Sequence, residues 1–137
     1  MIIDIHNHAD YHGYNVEKTL ANMDANGIDV TCLLSWEAPE TDYAPYTKRY
    51  FSPFSDMPVP FIRCVEYKKA APERFLLGFC PDPRRPDATE RLRSAVELYD
   101  ISICGELNEK IIIPSKPRIK SCAMLITEEN GKHTTSI

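Results

Sequence analysis

Apolar residues follow two different periods along the first 107 residues of the chain. Short segments rich in apolar and β-branched residues have the length of strands and occupy 1–8, 28–35, 74–80 and 101–107. Between them, apolar residues recur at the spacing of a helix face, in 15–26, 61–70 and 86–99. Strands that alternate with helices are typical of parallel sheets with right-handed crossovers. The sequence therefore predicts an α/β fold with about four parallel strands and three crossover helices.

Single residues support the predicted helix boundaries. Asn15 is of a type that caps helix N-termini, and Gly27 follows the first helix, where a left-handed residue is common. Pro72 ends the second helix and Pro86 begins the third, because proline cannot continue a helix but fits its first turn. Each helix therefore has at least one end that its own sequence predicts.

The segment 36–60 is a long connection, rich in proline and aromatic residues. A connection of this length is unusual unless it has a function or local structure of its own. It follows a strand, so in a parallel α/β fold it would lie at the carboxyl end of the sheet, where ligands bind. Trp36, at its start, is accordingly a candidate for substrate binding. The aromatic residues can equally form a packed cover over an apolar edge, and the sequence leaves both interpretations open.

The segment 108–137 departs from the strand–helix pattern. No aromatic residue follows Tyr99, and the segment combines an isoleucine triplet, two prolines and a polar end. Cys122–Ile126 can form one more short strand, while the remainder predicts an irregular tail. We therefore divide the chain into residues 1–107 and an atypical tail, 108–137, which is either disordered or the product of an altered reading frame.

Two histidines near the N-terminus carry the clearest chemical signal. His6 and His8 lie two residues apart on the first predicted strand, so both side chains point to one face, which Asp4 shares. Two imidazoles held in this way can bind one divalent cation such as zinc, manganese or iron. A neighbouring carboxylate commonly fixes the tautomer of a ligating ring, which is the role predicted for Asp4. The alternative is a histidine pair that only adds polarity to the strand.

Composition narrows the number of domains, the kinds of partner and the cellular compartment that can be expected. The 137 residues suit one domain, and a formal charge of −4 with a pI near 5.5 argues against nucleic acid as a partner. No stretch has the apolar length of a membrane span and no basic leader precedes Asp4, so neither a membrane partner nor a signal peptide is expected. The five cysteines are widely spaced and include no C-x-x-C pair, which indicates buried thiols in a reducing, cytoplasmic compartment.

The motif D-I-H-N-H at residues 4–8 resembles the first-strand motif of the amidohydrolase superfamily. Two later segments strengthen the likeness: M-D-A-N-G-I-D at 23–29, before the second strand, and A-P-E-R-F-L-L-G-F at 71–79, before an Asp-Pro turn. Residues 1–107 are in this way similar to the amidohydrolase-related branch. That branch includes metal-dependent hydrolases and decarboxylases allied to aminocarboxymuconate-semialdehyde decarboxylase.

The resemblance implies a (β/α)₈ barrel with a divalent metal, expected to be zinc, at the carboxyl ends of the strands. It implies His6 and His8 as ligands and makes Glu106, at the end of the fourth strand, a further ligand candidate; a solvated strand-end carboxylate is the alternative. His12, in the turn after the first strand, could line the substrate pocket, although turn polarity explains it equally well. The family's later histidines and its aspartate have no counterpart in this sequence.

The length of the chain limits how much of a (β/α)₈ barrel it can form. A complete barrel takes about 250 residues, and four of its strands cannot close. We therefore expect part of a TIM barrel: a truncated, weakly active or inactive metal-dependent hydrolase of a small molecule, whose open edge allows homo-oligomers. A non-catalytic fragment that requires a partner is one alternative. A decarboxylase of the same family, or a TatD-like metal-dependent nuclease, is another.

Overall fold

A computed structural model describes residues 1–37, 59–101, 103–107, 122–129 and 132–136. In chain order the elements are β1 (Ile3–Asn7), α1 (Val16–Ala25), β2 (Val30–Leu34), α2 (Phe61–Ala70), β3 (Phe75–Gly78), α3 (Ala88–Tyr99), β4 (Ile103–Leu107), β5 (Cys122–Glu129) and β6 (Lys132–Ser136). A 3₁₀ turn, Tyr11–Gly13, follows β1. Most of the predicted long connection, 38–58, lies outside the described residues, so its contact with a ligand stays a prediction.

The described strands form one sheet in the order β1-β2-β3-β4-β5-β6. β1 to β4 run parallel and curl into a half-barrel, with α1, α2 and α3 between them in the chain. The prediction of an α/β fold with four parallel strands and three helices is therefore confirmed. Among the described residues, none of the helices has the length and apolar character of a membrane span.

The hairpin of β5 and β6 differs from the irregular tail predicted after Leu107. β5 pairs antiparallel with β4, and β6 pairs antiparallel with β5, at one edge of the sheet. The predicted short strand Cys122–Ile126 is confirmed as part of β5, whereas the expectation of an irregular tail is wrong for β6. The pattern missed β6 because its residues, K-H-T-T-S, are polar, whereas an antiparallel ladder requires only backbone N–H and C=O groups. Residues 108–121 lie outside the described part, and the boundary at 107 stays a prediction.

The predicted end signals of the helices are largely confirmed. The Asn15 side chain accepts a hydrogen bond from the backbone N–H of Lys18 at 3.0 Å, which satisfies one N-terminal donor of α1. Gly27 follows α1 with a φ of +64°, a conformation that glycine adopts without strain. α3 begins at Ala88, slightly later than Pro86 predicts. Local chemistry therefore specifies these boundaries to within a few residues.

The main hydrophobic cluster joins residues of the sheet to residues of the three helices. Its largest fully buried members are Tyr67 of α2, Phe75 of β3, Met23 of α1 and Leu33 of β2. Side chains of β3 alternate as a strand requires, since Phe75 and Leu77 are buried in this cluster while Leu76 is 38% exposed. A second set of residues is buried outside the cluster and consists of Cys32, Leu34, Cys80 and Cys104.

Candidate functional site

The first strand is irregular at the histidine motif. Asp4 pairs with Thr31 of β2, but the next paired residue of β1 is Asn7, opposite Leu33. β1 therefore has one more residue than β2 between these pairs, which is the mark of a β-bulge. Bulges are common beside functional sites because they change the direction of side chains. This one contains the first of the two predicted ligands, His6.

The rings of His6 and His8 lie next to each other. Their centroids are 5.1 Å apart and their planes are perpendicular. Two imidazoles that bound one tetrahedral zinc ion, at Zn–N distances of about 2.0–2.1 Å, would have centroids about 5.2 Å apart. The separation is compatible with one shared cation and is also ordinary for an edge-to-face contact between two rings, so the H-x-H metal site stays a prediction.

A backbone carbonyl orients the ring of His8. Its Nδ1 lies 2.8 Å from the carbonyl oxygen of Leu34, at the end of β2. A carbonyl oxygen only accepts, so Nδ1 is the nitrogen that carries a proton, and Nε2 of the neutral ring keeps the lone pair. Histidines that bind metals are commonly held by such a contact to a backbone carbonyl. The arrangement therefore fits a ligand that uses Nε2.

Asp4 and Asn7 shape the backbone around the two histidines. The Asp4 carboxylate accepts hydrogen bonds from the backbone N–H of His6 at 3.1 Å and from the Asn7 side-chain amide at 3.0 Å. The Asn7 side-chain oxygen in turn accepts from the backbone N–H of His8 at 2.8 Å. Asp4 therefore supports the strand that carries both imidazoles, while a contact of its carboxylate to a ligating ring stays a prediction.

The turn after β1 brings His12 close to the pair through Tyr11. The Tyr11 ring lies 5.7 Å from the His8 ring and 4.2 Å from the His12 ring, measured between centroids. Asp10 and His12 have φ values of 60° and 53°, in the left-handed region that residues other than glycine seldom adopt. Such backbone strain is concentrated at functional sites. His12 is therefore in the region where a substrate pocket was predicted, and its role there stays a prediction.

A buried network that the sequence does not predict holds this turn in place. Arg63 of α2 donates two hydrogen bonds to the Asp10 carboxylate, through Nε at 2.6 Å and Nη2 at 2.9 Å. The Tyr67 hydroxyl lies 3.1 Å from both the Asp10 backbone nitrogen and Asp10 Oδ1, and 2.7 Å from the carbonyl oxygen of Tyr14. These contacts tie the turn to α2 across more than fifty residues of sequence, and no local pattern reveals them.

The network has a clear electrostatic effect on its members. Burial raises the pKa of the Tyr67 hydroxyl to about 12, and the neighbouring Asp10 carboxylate contributes in the same direction. The hydrogen bond to Asp10 raises the pKa of the Arg63 guanidinium above its usual value. Tyr67 is therefore a neutral hydrogen-bonding group and Arg63 a permanent cation across the pH range in which the fold is expected to be stable.

The other two predicted site residues are Trp36 and Glu106. Trp36 packs against the main hydrophobic cluster, and its backbone forms an antiparallel bridge with Val59. Its substrate-binding role stays a prediction. The backbone of Glu106 belongs to β4, and its side chain lies outside the described part of the structure. Its role as a ligand is likewise still a prediction.

As ligands of a metal ion, His6 and His8 would supply only part of a coordination sphere. Within the ranges that the structure covers, no group of three or more histidine, cysteine, aspartate or glutamate side chains is placed to hold one ion. Structural zinc sites have four ligands and catalytic sites have three plus water. A cation held by His6 and His8 would therefore need further ligands from water, from residues outside the described ranges or from a partner chain.

Comparisons with protein-family profiles, with characterised proteins and with solved structures give no match to this chain. The amidohydrolase resemblance of the histidine motif therefore remains an untested interpretation of the sequence. A function has to be inferred from the geometry of the motif and from the position of β1 in the sheet.

Proposed function

We propose that the chain supplies the first metal-binding strand of a metal-dependent hydrolase of the amidohydrolase-related type, which acts on a small molecule. The observation that carries this proposal is the imidazole pair, with centroids 5.1 Å apart and His8 oriented by the Leu34 carbonyl. Zinc is one of the cations that imidazole ligands suit, and it is the one proposed here. On this proposal, the four parallel strands and three helices correspond to the first half of a (β/α)₈ barrel, whose sites lie at the carboxyl ends of the strands.

Each residue of the motif has a distinct role in this proposal. His6 and His8 would hold the cation, and the Leu34 carbonyl keeps the His8 ring in the tautomer that leaves Nε2 able to bind. When bound, zinc supplies a water of lowered pKa and polarises a substrate carbonyl. Tyr11, whose ring lies 5.7 Å from that of His8, and His12 beyond it would contact the substrate.

Zinc binding by the purified full-length chain tests the metal site directly. We expect weak, substoichiometric binding, because two imidazoles leave a tetrahedral ion half-coordinated. His6→Ala and His8→Ala should each lower the affinity by at least about tenfold, since each removes one of two protein ligands. Isothermal titration with a zinc salt measures both quantities, and His12→Ala is the matched control because it removes a nearby imidazole that is not a proposed ligand.

The possible outcomes separate three situations. An affinity that neither His6→Ala nor His8→Ala reduces would refute the proposed metal site. Tight one-to-one binding that His6→Ala abolishes would instead show that the chain holds a complete site, contrary to the expected weak binding. A loss of affinity in His12→Ala equal to that in His8→Ala would extend the ligand set to the turn.

The exposed edge of β1 supports a second candidate, in which self-association is the main property of the chain. Among the described strands β1 lies at one edge of the sheet, and it presents apolar side chains to solvent, with Ile3 42% and Ile5 74% exposed. Edge strands of monomeric proteins usually carry lysine or proline, which discourage pairing. The only residue of strand β1 with a full charge is Asp4. Because every copy presents the same surface, pairing of β1 with β1 of a second copy would bury these side chains.

Light scattering coupled to size-exclusion chromatography tests this second candidate. We expect the full-length chain to elute as a dimer or larger species, and Ile5→Lys to shift it toward the monomer by placing a charge on the apolar edge. Leu98→Lys is the matched control, because Leu98 is 73% exposed on α3, away from β1. A stable monomer at all concentrations tested would exclude self-association through β1.

A further inference from the structure

A groove runs along α3 and encloses about 400 Å³, a volume typical of small-molecule sites, which occupy about 300–1,000 Å³. Its apolar surface includes Phe61, Phe79, Leu98 and Tyr99, and its charged residues are Asp87, Glu90 and Arg91. The lining residues all lie within 61–99, outside β1 and the turn after it, so this α3 groove is separate from the proposed metal site.

Part of the α3 groove lies where parallel α/β proteins bind ligands. Phe79 directly follows β3, and Asp87 directly precedes α3. Both residues therefore belong to the connection at the carboxyl end of β3, and crevices at the carboxyl ends of parallel strands are the usual ligand sites of such sheets. The position of the groove thus agrees with its size.

Three aromatic rings form a continuous apolar wall of the groove. The ring centroid of Phe61 lies 4.7 Å from that of Phe79 and 5.3 Å from that of Tyr99. Phe79 is buried, while Tyr99 is 40% exposed and the adjacent Leu98 is 73% exposed. The wall therefore extends from the interior to solvent, and an apolar ligand would remove the exposed part of Tyr99 and Leu98 from water.

Two of the three charged side chains at the groove already have partners of opposite charge. Arg85 donates to both oxygens of the Asp87 carboxylate at 2.8 Å. Arg91 donates through Nη2 to both oxygens of the Glu37 carboxylate, at 2.8 and 3.0 Å. Glu90 differs, because in the described part of the chain its carboxylate forms no ion pair or hydrogen bond with another side chain. The unpaired charge at the groove is therefore negative.

We propose that the α3 groove binds a small organic cation with an apolar body, of the arylalkylammonium class. The cationic group pairs with the Glu90 carboxylate, and the faces of the exposed aromatic rings attract it as well. The apolar body lies against Tyr99 and Leu98. An anionic ligand of the same shape is disfavoured, because Glu37 already occupies the Arg91 guanidinium and Glu90 repels it. The site does not depend on the proposed hydrolase activity.

An NMR titration of the full-length protein, without added metal, tests the proposal. Three probes of similar shape are compared: phenethylammonium, neutral 2-phenylethanol and anionic 3-phenylpropionate. We expect phenethylammonium to bind about two- to fivefold more tightly than the alcohol, which is the contribution of one solvent-exposed ion pair, and the carboxylate to bind most weakly. The backbone amide shifts should change at the residues that line the α3 groove.

Two variants and one control assign the contributions. Glu90→Gln should make the affinities for phenethylammonium and 2-phenylethanol equal, because it removes the charge and keeps the shape of the side chain. Leu98→Ala should weaken binding of both probes, since it removes apolar contact area. Glu97→Gln is the matched control: it removes an exposed carboxylate from the same helix, outside the groove lining, and should change neither affinity.

Several results would overturn the proposal. These are equal binding of the cation and the alcohol by the wild-type protein, tighter binding of the carboxylate, and shift changes that are absent or lie outside the α3 groove. Equal losses in Glu90→Gln and Glu97→Gln would also overturn it, because they would assign the effect to the net charge of the protein. The wild-type comparison needs no variant, so a variant that fails to fold leaves the test intact.

Discussion

Asp10→Ala is expected to lower the free energy of unfolding by about 2–4 kcal/mol. The substitution leaves the Arg63 guanidinium and the Tyr67 hydroxyl without the carboxylate that both contact. Loss of one partner of a fully buried ion pair costs about 3–5 kcal/mol, and the expected loss is somewhat smaller here because the Arg63 side chain is 31% exposed. Chemical denaturation followed by far-UV circular dichroism measures the change.

Two further variants separate the causes of this loss. Asp10→Asn tolerates the left-handed backbone at this position, where φ is 60°, but removes the charge, so it should be less destabilising than Asp10→Ala. Glu66→Ala removes the other carboxylate paired with Arg63, which is 50% exposed, and should change stability by less than about 1 kcal/mol. If Asp10→Ala were no more destabilising than Glu66→Ala, the network would not hold the turn.

The same variant connects stability with the proposed site. Asp10 precedes the turn that carries Tyr11 and His12, and it lies two residues after His8, which itself follows β1. Loosening of the turn should displace Tyr11 from the His8 ring. The contact between the His8 ring and the Leu34 carbonyl should persist, because Leu34 lies at the end of β2 and not in the turn. We therefore regard Arg63 and Tyr67 as residues that position the turn from α2, without a direct role in holding a cation.

Local patterns predicted most of the parallel sheet and its helices. α2 occupies the predicted residues, Phe61–Ala70, because its apolar spacing and the following Pro72 act within one short segment. The predicted second strand, 28–35, is observed as Val30–Leu34, since Ile28 is still held by a hydrogen bond from its N–H to the Met23 carbonyl at the end of α1. Signals that act over a few residues thus determine the elements and limit the errors to their ends.

The features that the sequence did not predict depend on distant parts of the chain. Asp10 and Arg63 are typical of a turn and a helix surface, and only the packing of α2 beside the β1 turn brings them together. The closeness of the two imidazoles could be predicted because His6 and His8 are two residues apart in sequence, although a β-bulge between Asp4 and Asn7 interrupts the strict alternation and His8 lies just beyond β1.

Phe75→Ala should be among the most destabilising single substitutions in the described fold, with an expected loss of about 3–5 kcal/mol in the free energy of unfolding. Phe75 is completely buried at the start of β3, and its ring centroid lies 5.6 Å from that of Tyr67 in α2. Removing the ring leaves a cavity between the sheet and the helix, and the backbone of β3 cannot move to fill it because β2 pairs with it.

The neighbouring residue provides the matched control for this prediction. Leu76 belongs to the same strand but points to the other face and is 38% exposed, so Leu76→Ala should cost only about 1 kcal/mol. Urea denaturation of both variants at the same pH gives the comparison. Equal losses would mean that β3 buries both faces to the same extent, which would contradict the observed alternation. A large loss only in Phe75→Ala would instead locate the main stabilising contact between β3 and α2, the helix that also anchors the turn of the proposed site.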